Sequence, residues 1–324
     1  VITMKNELRY RSYAAHLRER YGKKVYKIPL NLPAGCPNRD GSLGSGGCDF
    51  CAPEGAGFEL LPERLSVDEQ LKTNMDYIGS RYGVDTFIAY FQNYSNTYLS
   101  IVSFEQAIRA AVHPNVVEMA ISTRPDCVDE RHLTLLKEIQ QETGIRITFE
   151  LGLQTANYRT LYQINRGHGL ASFIDAVLRV HRYEFEVCAH VILNLPGDDN
   201  LDAVETARIL SALKVEQVKV HALYLMKNTK MGEAYEQGAF QMISLEDYQE
   251  RAILFLEHVA PEMVVQRLIG RAPEKNSIFV NWGTSWWKIR DEIHQKMERE
   301  NRRQGTKYQR FEGFSENVTK SEKI

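Results

Sequence analysis

The stretch Val25-Tyr-Lys-Ile-Pro-Leu30, followed by Cys36-Pro-Asn-Arg-Asp-Gly-Ser-Leu-Gly-Ser-Gly-Gly-Cys48-Asp-Phe-Cys51, decides how the rest of the chain is read. An apolar run of strand character enters a Gly-rich loop that carries three cysteines. A closed structural zinc site takes four ligands, and a 4Fe–4S cluster held wholly by protein takes four thiolates. Three thiolates leave one iron of such a cluster open to a ligand from outside the chain. The glycines between residues 41 and 47 let backbone wrap close to a bound group. No Gly-Lys-Ser/Thr follows them, so the loop is not a Walker-type phosphate loop. The strand-to-helix glycine fingerprint of a dinucleotide fold is missing too.

Outward from this loop, apolar and often β-branched runs recur at 25–30, 86–91, 116–122, 145–153, 185–193 and 215–223. Such runs suit parallel strands covered on both faces. Amphipathic stretches separate them, beginning with a capping box, Ser66-Val-Asp-Glu69, that opens a helix to about residue 82. Helical spacing also fits 104–112, 129–141, 172–183 and 202–213. Six strand-then-helix units predict an α/β fold, a complete or partial β/α barrel, with its chemistry at the C-terminal ends of the strands. The expected organisation is a basic helical segment at 1–24, the barrel at 25–225 and a C-terminal extension at 226–324. The extension contains helices near 247–258 and 285–303, a short strand near 263–268 and a polar, loose tail over the last fifteen or so residues.

Polar residues gather after each strand candidate. The cysteine loop follows the first, and Gln92-Asn93-Tyr94-Ser95-Asn96-Thr97-Tyr98 the second. The third ends in Ser122-Thr-Arg124-Pro-Asp126, and the fourth in Glu150-Leu-Gly-Leu-Gln154. The fifth holds His190 and ends in Leu195-Pro196-Gly197-Asp198, and the sixth ends in His221-Ala-Leu-Tyr224. Any one of these is an ordinary structural feature. Six in the same relative position converge on one mouth if the barrel closes.

The 324 residues include 40 Lys and Arg against 42 Asp and Glu, a net charge of −2. No apolar run approaches the roughly 20 residues of a membrane span, and no apolar signal core opens the chain. Five cysteines, three of them clustered, argue against a disulfide framework and for a reducing compartment, the cytoplasm. Basic residues crowd both ends, among them Lys5, Arg18, Arg20, Lys23 and Lys24, and later Arg302, Arg303, Lys307 and Arg310. They read either as a phosphate-backbone surface or as solvated faces.

The cysteine loop and the phrases Ser-Thr-Arg-Pro-Asp, Glu-Leu-Gly-Leu-Gln-Thr, Asn-Arg-Gly-His and Ala-His-Val-Ile-Leu-Asn-Leu-Pro-Gly carry a family resemblance. From about residue 10 to about residue 288 the chain resembles radical S-adenosylmethionine (SAM) enzymes of the YhcC/YtqA family. These are similar to the radical SAM domain of the elongator catalytic subunit and, more distantly, to oxygen-independent coproporphyrinogen oxidase. Eleven residues separate Cys36 from Cys48, where most radical SAM proteins have three, and this long insertion is the specific mark. The resemblance implies a partial (β/α)6 TIM-like barrel of the radical SAM type with a C-terminal extension.

The same resemblance implies that Cys36, Cys48 and Cys51 ligate a 4Fe–4S cluster whose fourth iron takes the amino and carboxylate groups of SAM. It places Phe50 near the adenine, Gln154 near the ribose and Arg166 on the SAM carboxylate. Gln92 and Asn93 fall by the methionine amino group, without the usual Gly-Gly-Glu. Ser122 stands where the oxidase has an acidic ribose contact. His190, Pro196 and Gly197 border the adenosine. No catalytic residue is assigned. The implied chemistry is hydrogen abstraction by a 5′-deoxyadenosyl radical, with electrons from a donor such as flavodoxin or ferredoxin. The implied substrate is tRNA, with wobble 5-carboxymethylaminomethyluridine, thiolated or not, becoming 5-aminomethyluridine. Tyr90, Tyr94, Tyr98 and Tyr224 are candidates to stack a flipped base. Two alternatives stand beside this reading: radical chemistry on a small molecule such as a tetrapyrrole, and a non-catalytic RNA-binding protein stabilised by zinc.

Overall fold

The computed structural model describes residues 8–52, 55, 60–273 and 276–309. Among these described residues nine strands run in chain order as β1 (Tyr26–Leu30), β2 (Phe87–Phe91), β3 (Val116–Thr123), β4 (Arg146–Gln154), β5 (Glu186–Ile192), β6 (Gln217–His221), β7 (Leu225–Met226), β8 (Val264–Arg267) and β9 (Ser277–Phe279). Ten helices accompany them among the described residues: α1 (Tyr13–Tyr21), α2 (Val67–Tyr82), α3 (Ile101–Ala110), α4 (Glu130–Thr143), α5 (Tyr158–Gln163), α6 (Leu170–Arg182), α7 (Asn200–Ala212), α8 (Lys230–Glu236), α9 (Leu245–His258) and α10 (Trp286–Arg299).

Seven strands form one parallel sheet in the order β1-β2-β3-β4-β5-β6-β8. The expected six are all present, within two residues at most of their ends. The seventh, β8, comes from the C-terminal extension and pairs parallel with β6. Its pattern, Val-Val-Gln-Arg, is too short to declare its partner. The sheet curls into a half-barrel, and Lys27 of one edge strand reaches Gln266 of the other with an Nζ–Oε1 distance of 3.0 Å. β7 and β9 form a separate antiparallel pair.

The strands are buried on both faces, as the apolar runs require. All five residues of β2 are buried, and Ile28, Leu30, Phe149, Leu151, Val187 and Val218 join one continuous core under the helices. Helix starts follow local chemistry: the Ser66–Glu69 capping box forms, and Asp199 and Asp202 make a second. These caps fix where each crossover leaves the sheet, and so where each polar loop meets the mouth.

The basic ends are largely absorbed into the fold. Arg20 forms a paired contact with Glu186, and Arg302 bonds both Glu250 and Glu257. Lys307 also reaches Glu257. The two ends clasp each other: the Arg11 amide donates to Gln304 Oε1 at 2.8 Å, and the Val265 amide to the Arg11 carbonyl at 2.9 Å. The Arg302 side chain, expected as part of a nucleic-acid surface, is therefore internal bracing. The loose tail expected after residue 309, with Arg310, lies outside the described residues, as does Lys5. Among the described residues no helix is long and apolar enough to cross a membrane.

Candidate active site

A deep cavity opens at the C-terminal ends of the strands, where the sequence placed it. Every strand of the main sheet except β1 lends it a residue of the strand itself or of the turn just after it, and β1 contributes through the cysteine loop. The loop is held by the segment after β4. Asn38 Nδ2 donates to the Asn165 carbonyl at 2.6 Å, Asn165 Nδ2 to the Gly47 carbonyl at 2.8 Å, and the Asp49 amide to the Ile164 carbonyl at 3.0 Å. Gly46 and Gly47 sit at φ 81° and 83°, where a side chain is strained, and a Cβ on Gly47 would lie 3.0 Å from Arg39.

Cys36, Cys48 and Cys51 all face this cavity, and all five cysteines are free thiols. Cations attend two of the sulfurs. Arg39 Nη2 lies 3.1 Å from Cys51 Sγ and also donates to the Ala52 carbonyl; Arg166 Nη1 lies 3.4 Å from Cys48 Sγ. Burial pushes the Cys51 thiol up against the pull of Arg39, and metal binding reverses this by deprotonating the ligand outright. Among the described residues no fourth cysteine lines the cavity.

Arg166 is buried and aimed at the same space. Its Nη2 donates to the Gly152 carbonyl at 2.8 Å, and its Nε is buried without a partner. Gly152 permits this, since a Cβ there would stand 2.6 Å from Nη2. Gln154, next on the strand, holds φ 77° at an irregularity in the β4–β5 pairing. A non-glycine residue in that region costs free energy, and such positions cluster at functional sites. An orphaned guanidinium nitrogen beside three thiols fits a cluster carrying a carboxylate ligand.

The other sequence candidates divide. Phe50, Gln92, Ser122, Gln154 and His190 line the cavity. Asn93 is buried just behind the wall, with its Oδ1 unpartnered and 2.5 Å from where a Cβ on Gly55 would stand. Ser122 donates to the Tyr90 hydroxyl at 3.2 Å. Pro196 and Gly197 fall outside the wall: their turn leads away toward α5, where a Cβ on Gly197 would face Gln163 and Thr160. Two of the four tyrosines are also committed elsewhere. Tyr98 holds the cysteine loop through Asp40 and Ser42. Tyr90 lies under the ammonium groups of Lys27 and Lys219, 4.7 and 4.4 Å from its ring centre. Tyr90, Tyr94 and Tyr224 all line the wall, and Tyr98 does not.

Reading the sequence named Glu150, His190 and His221 at the strand ends but did not place the lysines and Arg267 around them. Glu150, fully buried, bonds Lys27, Lys219 and His190 Nε2, the last at 2.7 Å. Burial opposes its charge, but Lys219 and Lys27 outweigh that and hold the carboxyl well below the usual range. Burial and Lys219 bring His190 down to about 4, so the ring is neutral at pH 7. His221 is likewise lowered, by burial and Arg267. Glu150, Cys188 and His190 lie close enough to suggest a metal site, yet two ammonium groups already occupy that carboxylate. The signal was a charged residue inside each of three apolar strands, Lys27, Glu150 and Lys219.

A curled parallel half-barrel whose mouth carries three free thiols defines a class, the α/β barrels with their site at the C-terminal ends of the strands. The profile of the radical SAM superfamily matches residues 30–210, and that of the radical SAM C-terminal domain matches residues 215–299. YtqA of Bacillus subtilis (strain 168) is 33% identical over 307 residues, covering 94% of this chain and 95% of its own. YhcC of Escherichia coli (strain K12) is 33% identical over 276 residues, 85% of this chain and 88% of its own. The archaeal Elp3 of Methanocaldococcus infernus superposes with a TM-score of 0.65 at 14% identity, over 86% of this chain and 64% of that one. The likeness to Elp3 is one of fold, and this chain spans less than two thirds of it. The chain belongs to the radical SAM superfamily, whose enzymes use a 4Fe–4S cluster and SAM.

Proposed function

We propose that this protein is a tRNA-modifying enzyme that converts wobble 5-carboxymethylaminomethyluridine, thiolated or not, to 5-aminomethyluridine. The observation that carries the chemistry is the opening of the Cys36, Cys48 and Cys51 loop into the same cavity as the unpartnered Nε of Arg166. The three cysteines would hold the cluster, and Arg166 the SAM carboxylate. Gln92 and Asn93 would meet the methionine end, Phe50 the adenine, and Gln154 and His190 the ribose side. When bound, the cluster and SAM supply a 5′-deoxyadenosyl radical that takes hydrogen from the substrate.

The chain's own residues prepare that space. Arg39 and Arg166 set guanidinium nitrogens beside the sulfurs of Cys51 and Cys48. Glu150 stays ionised between two lysines and fixes His190 as a neutral hydrogen-bond donor. Neither Glu150 nor His190 is poised to take up a proton near pH 7, which suits a reaction that begins with hydrogen-atom transfer. The substrate assignment draws support from charge. A second opening beside α1 is lined by Arg18, Lys23, Lys24 and Lys27, and it reaches Lys219 and Arg267 of the main cavity. Such a basic approach favours a polyanion. Free thiols throughout fit the reducing cytoplasm, where a flavodoxin or ferredoxin would supply electrons.

The test is 5′-deoxyadenosine release by anaerobically reconstituted protein with SAM and a reductant, with and without tRNA from cells lacking this enzyme. Release that rises with tRNA supports both parts of the proposal. Release indifferent to tRNA moves the substrate to a small molecule such as a tetrapyrrole. Absence of release from protein with a full cluster refutes the enzyme. In parallel, Cys48→Ala is expected to lose most of its bound iron; full retention would remove the cluster assignment.

A further inference from the structure

Arg267, on the edge strand β8, faces both the main cavity and the basic side opening. Its Nη2 donates to His221 Nδ1 at 2.7 Å, and its Nε is buried without a partner. No carboxylate among the described residues pairs with it, whereas Arg20, Arg124 and Arg302 each have one. The Gly270 backbone closes over the group, since a Cβ there would lie 2.8 Å from the guanidinium carbon. The floor around it is short of negative charge. Among the described residues lining the main cavity the one carboxylate is Glu150, which Lys27 and Lys219 already occupy. His190 and His221, both held neutral, add no counter-charge. A half-buried guanidinium with free donors in a cavity with excess positive charge is a site built for an oxyanion.

We propose that Arg267, braced by His221, is an oxyanion subsite that binds an acidic group of the substrate and so sets which carbon faces the cysteine loop. The inference rests on the proposed function in taking this cavity as the reaction site. For the wobble nucleoside the group is the carboxylate of the side chain; a backbone phosphate offers the same chemistry. His221 presents a ring nitrogen to Arg267, which fixes the plane of the fork. It is a positioning residue.

The experiment compares wild-type holoenzyme with Arg267→Gln and Arg267→Lys by equilibrium binding of two tRNAs, one with the carboxymethylaminomethyl group and one with the aminomethyl group. A charge-assisted hydrogen bond to an oxyanion predicts a loss of about tenfold to a hundredfold for Arg267→Gln on the first tRNA. The second tRNA should bind as before, and Arg267→Lys should restore part of the loss. Equal weakening on both tRNAs keeps the subsite and assigns it to backbone phosphate. Unchanged affinity for both overturns the inference. If wild-type protein binds neither tRNA, the tRNA reading fails by itself. Equilibrium dialysis with inorganic phosphate then decides the subsite: binding lost in Arg267→Gln supports it, while equal or absent binding in both proteins overturns it. Iron content and circular dichroism report folding, and Arg267→Lys carries the comparison if the glutamine variant does not fold.

Discussion

Single residues set the electrostatics of the cavity. Glu150 is the carboxylate that bonds both Lys27 and Lys219, so removing its charge takes the salt-bridge partner from both ammonium groups. Glu150→Gln is expected to destabilise the fold by about 3 kcal/mol, measured by denaturant unfolding. A change below about 0.5 kcal/mol would show that the lysines find other partners. Asp198, in the turn after β5, behaves in the opposite sense. Burial pushes its carboxyl up to about 6 although Thr160 Oγ1 donates to it at 2.5 Å. Because the folded value lies above the unfolded one, this group favours folding below about pH 4. That contribution is lost as pH rises through about 6. Asp198→Asn keeps the acceptor and removes the charge. Its melting temperature should exceed that of wild type at pH 8, with a smaller difference at pH 5. An equal difference at both pH values would contradict the shift.

At the scale of elements, the caps were the most legible feature. Ser66 and Glu69 read as a capping box and form one. The start of α4 follows the same logic through Asp129, whose Oδ1 accepts from the His132 amide at 3.0 Å. Burial works against its charge, but the His132 and Arg131 hydrogen bonds bring the carboxyl down to about 2. Its contribution is present above about pH 4 and is lost as pH falls through about 2. Asp129→Ala should cost about 1 kcal/mol at pH 7, read by thermal unfolding; an unchanged midpoint would mean the helix starts without its cap. Strand β8 was legible as a strand but not as part of the sheet. Val264-Val-Gln-Arg267 has only two buried apolar residues, one on each face, and only the parallel register with β6 makes it the seventh strand and carries Arg267 to the cavity.

Over the whole molecule, the ends explain why charge runs mislead. Arg302 was a candidate contact for a phosphate backbone, yet its guanidinium joins Glu250 and Glu257 on α9 and ties residues 301–304 to the start of the chain. Arg302→Ala is expected to lower the melting temperature by several degrees, on the scale of about 1–3 kcal/mol for a partly buried pair. Its tRNA affinity should stay as in wild type; a loss of affinity in a variant of unchanged stability would return the tail to the nucleic-acid surface. The positive potential that remains lies at the side opening, where Arg18 and Lys24 have no carboxylate partner among the described residues.

The sequence by itself determined the clustering of three cysteines in one loop, the α/β alternation and the end of the barrel at which polar residues gather. Each of these is written in local spacing: cysteines within sixteen residues, apolar runs of strand length and side chains at strand ends. The tertiary structure alone decided which charged side chains meet at and beneath the cavity. Lys27, Glu150, Lys219 and Arg267 come from four strands spread over 240 residues, and an inward-facing lysine in a strand looks no different in sequence from an outward-facing one. Closure of the sheet puts them within reach of one another. Burial in a medium of low polarisability then forces each charge either to find a partner, as three of them do, or, as in Arg267, to await one.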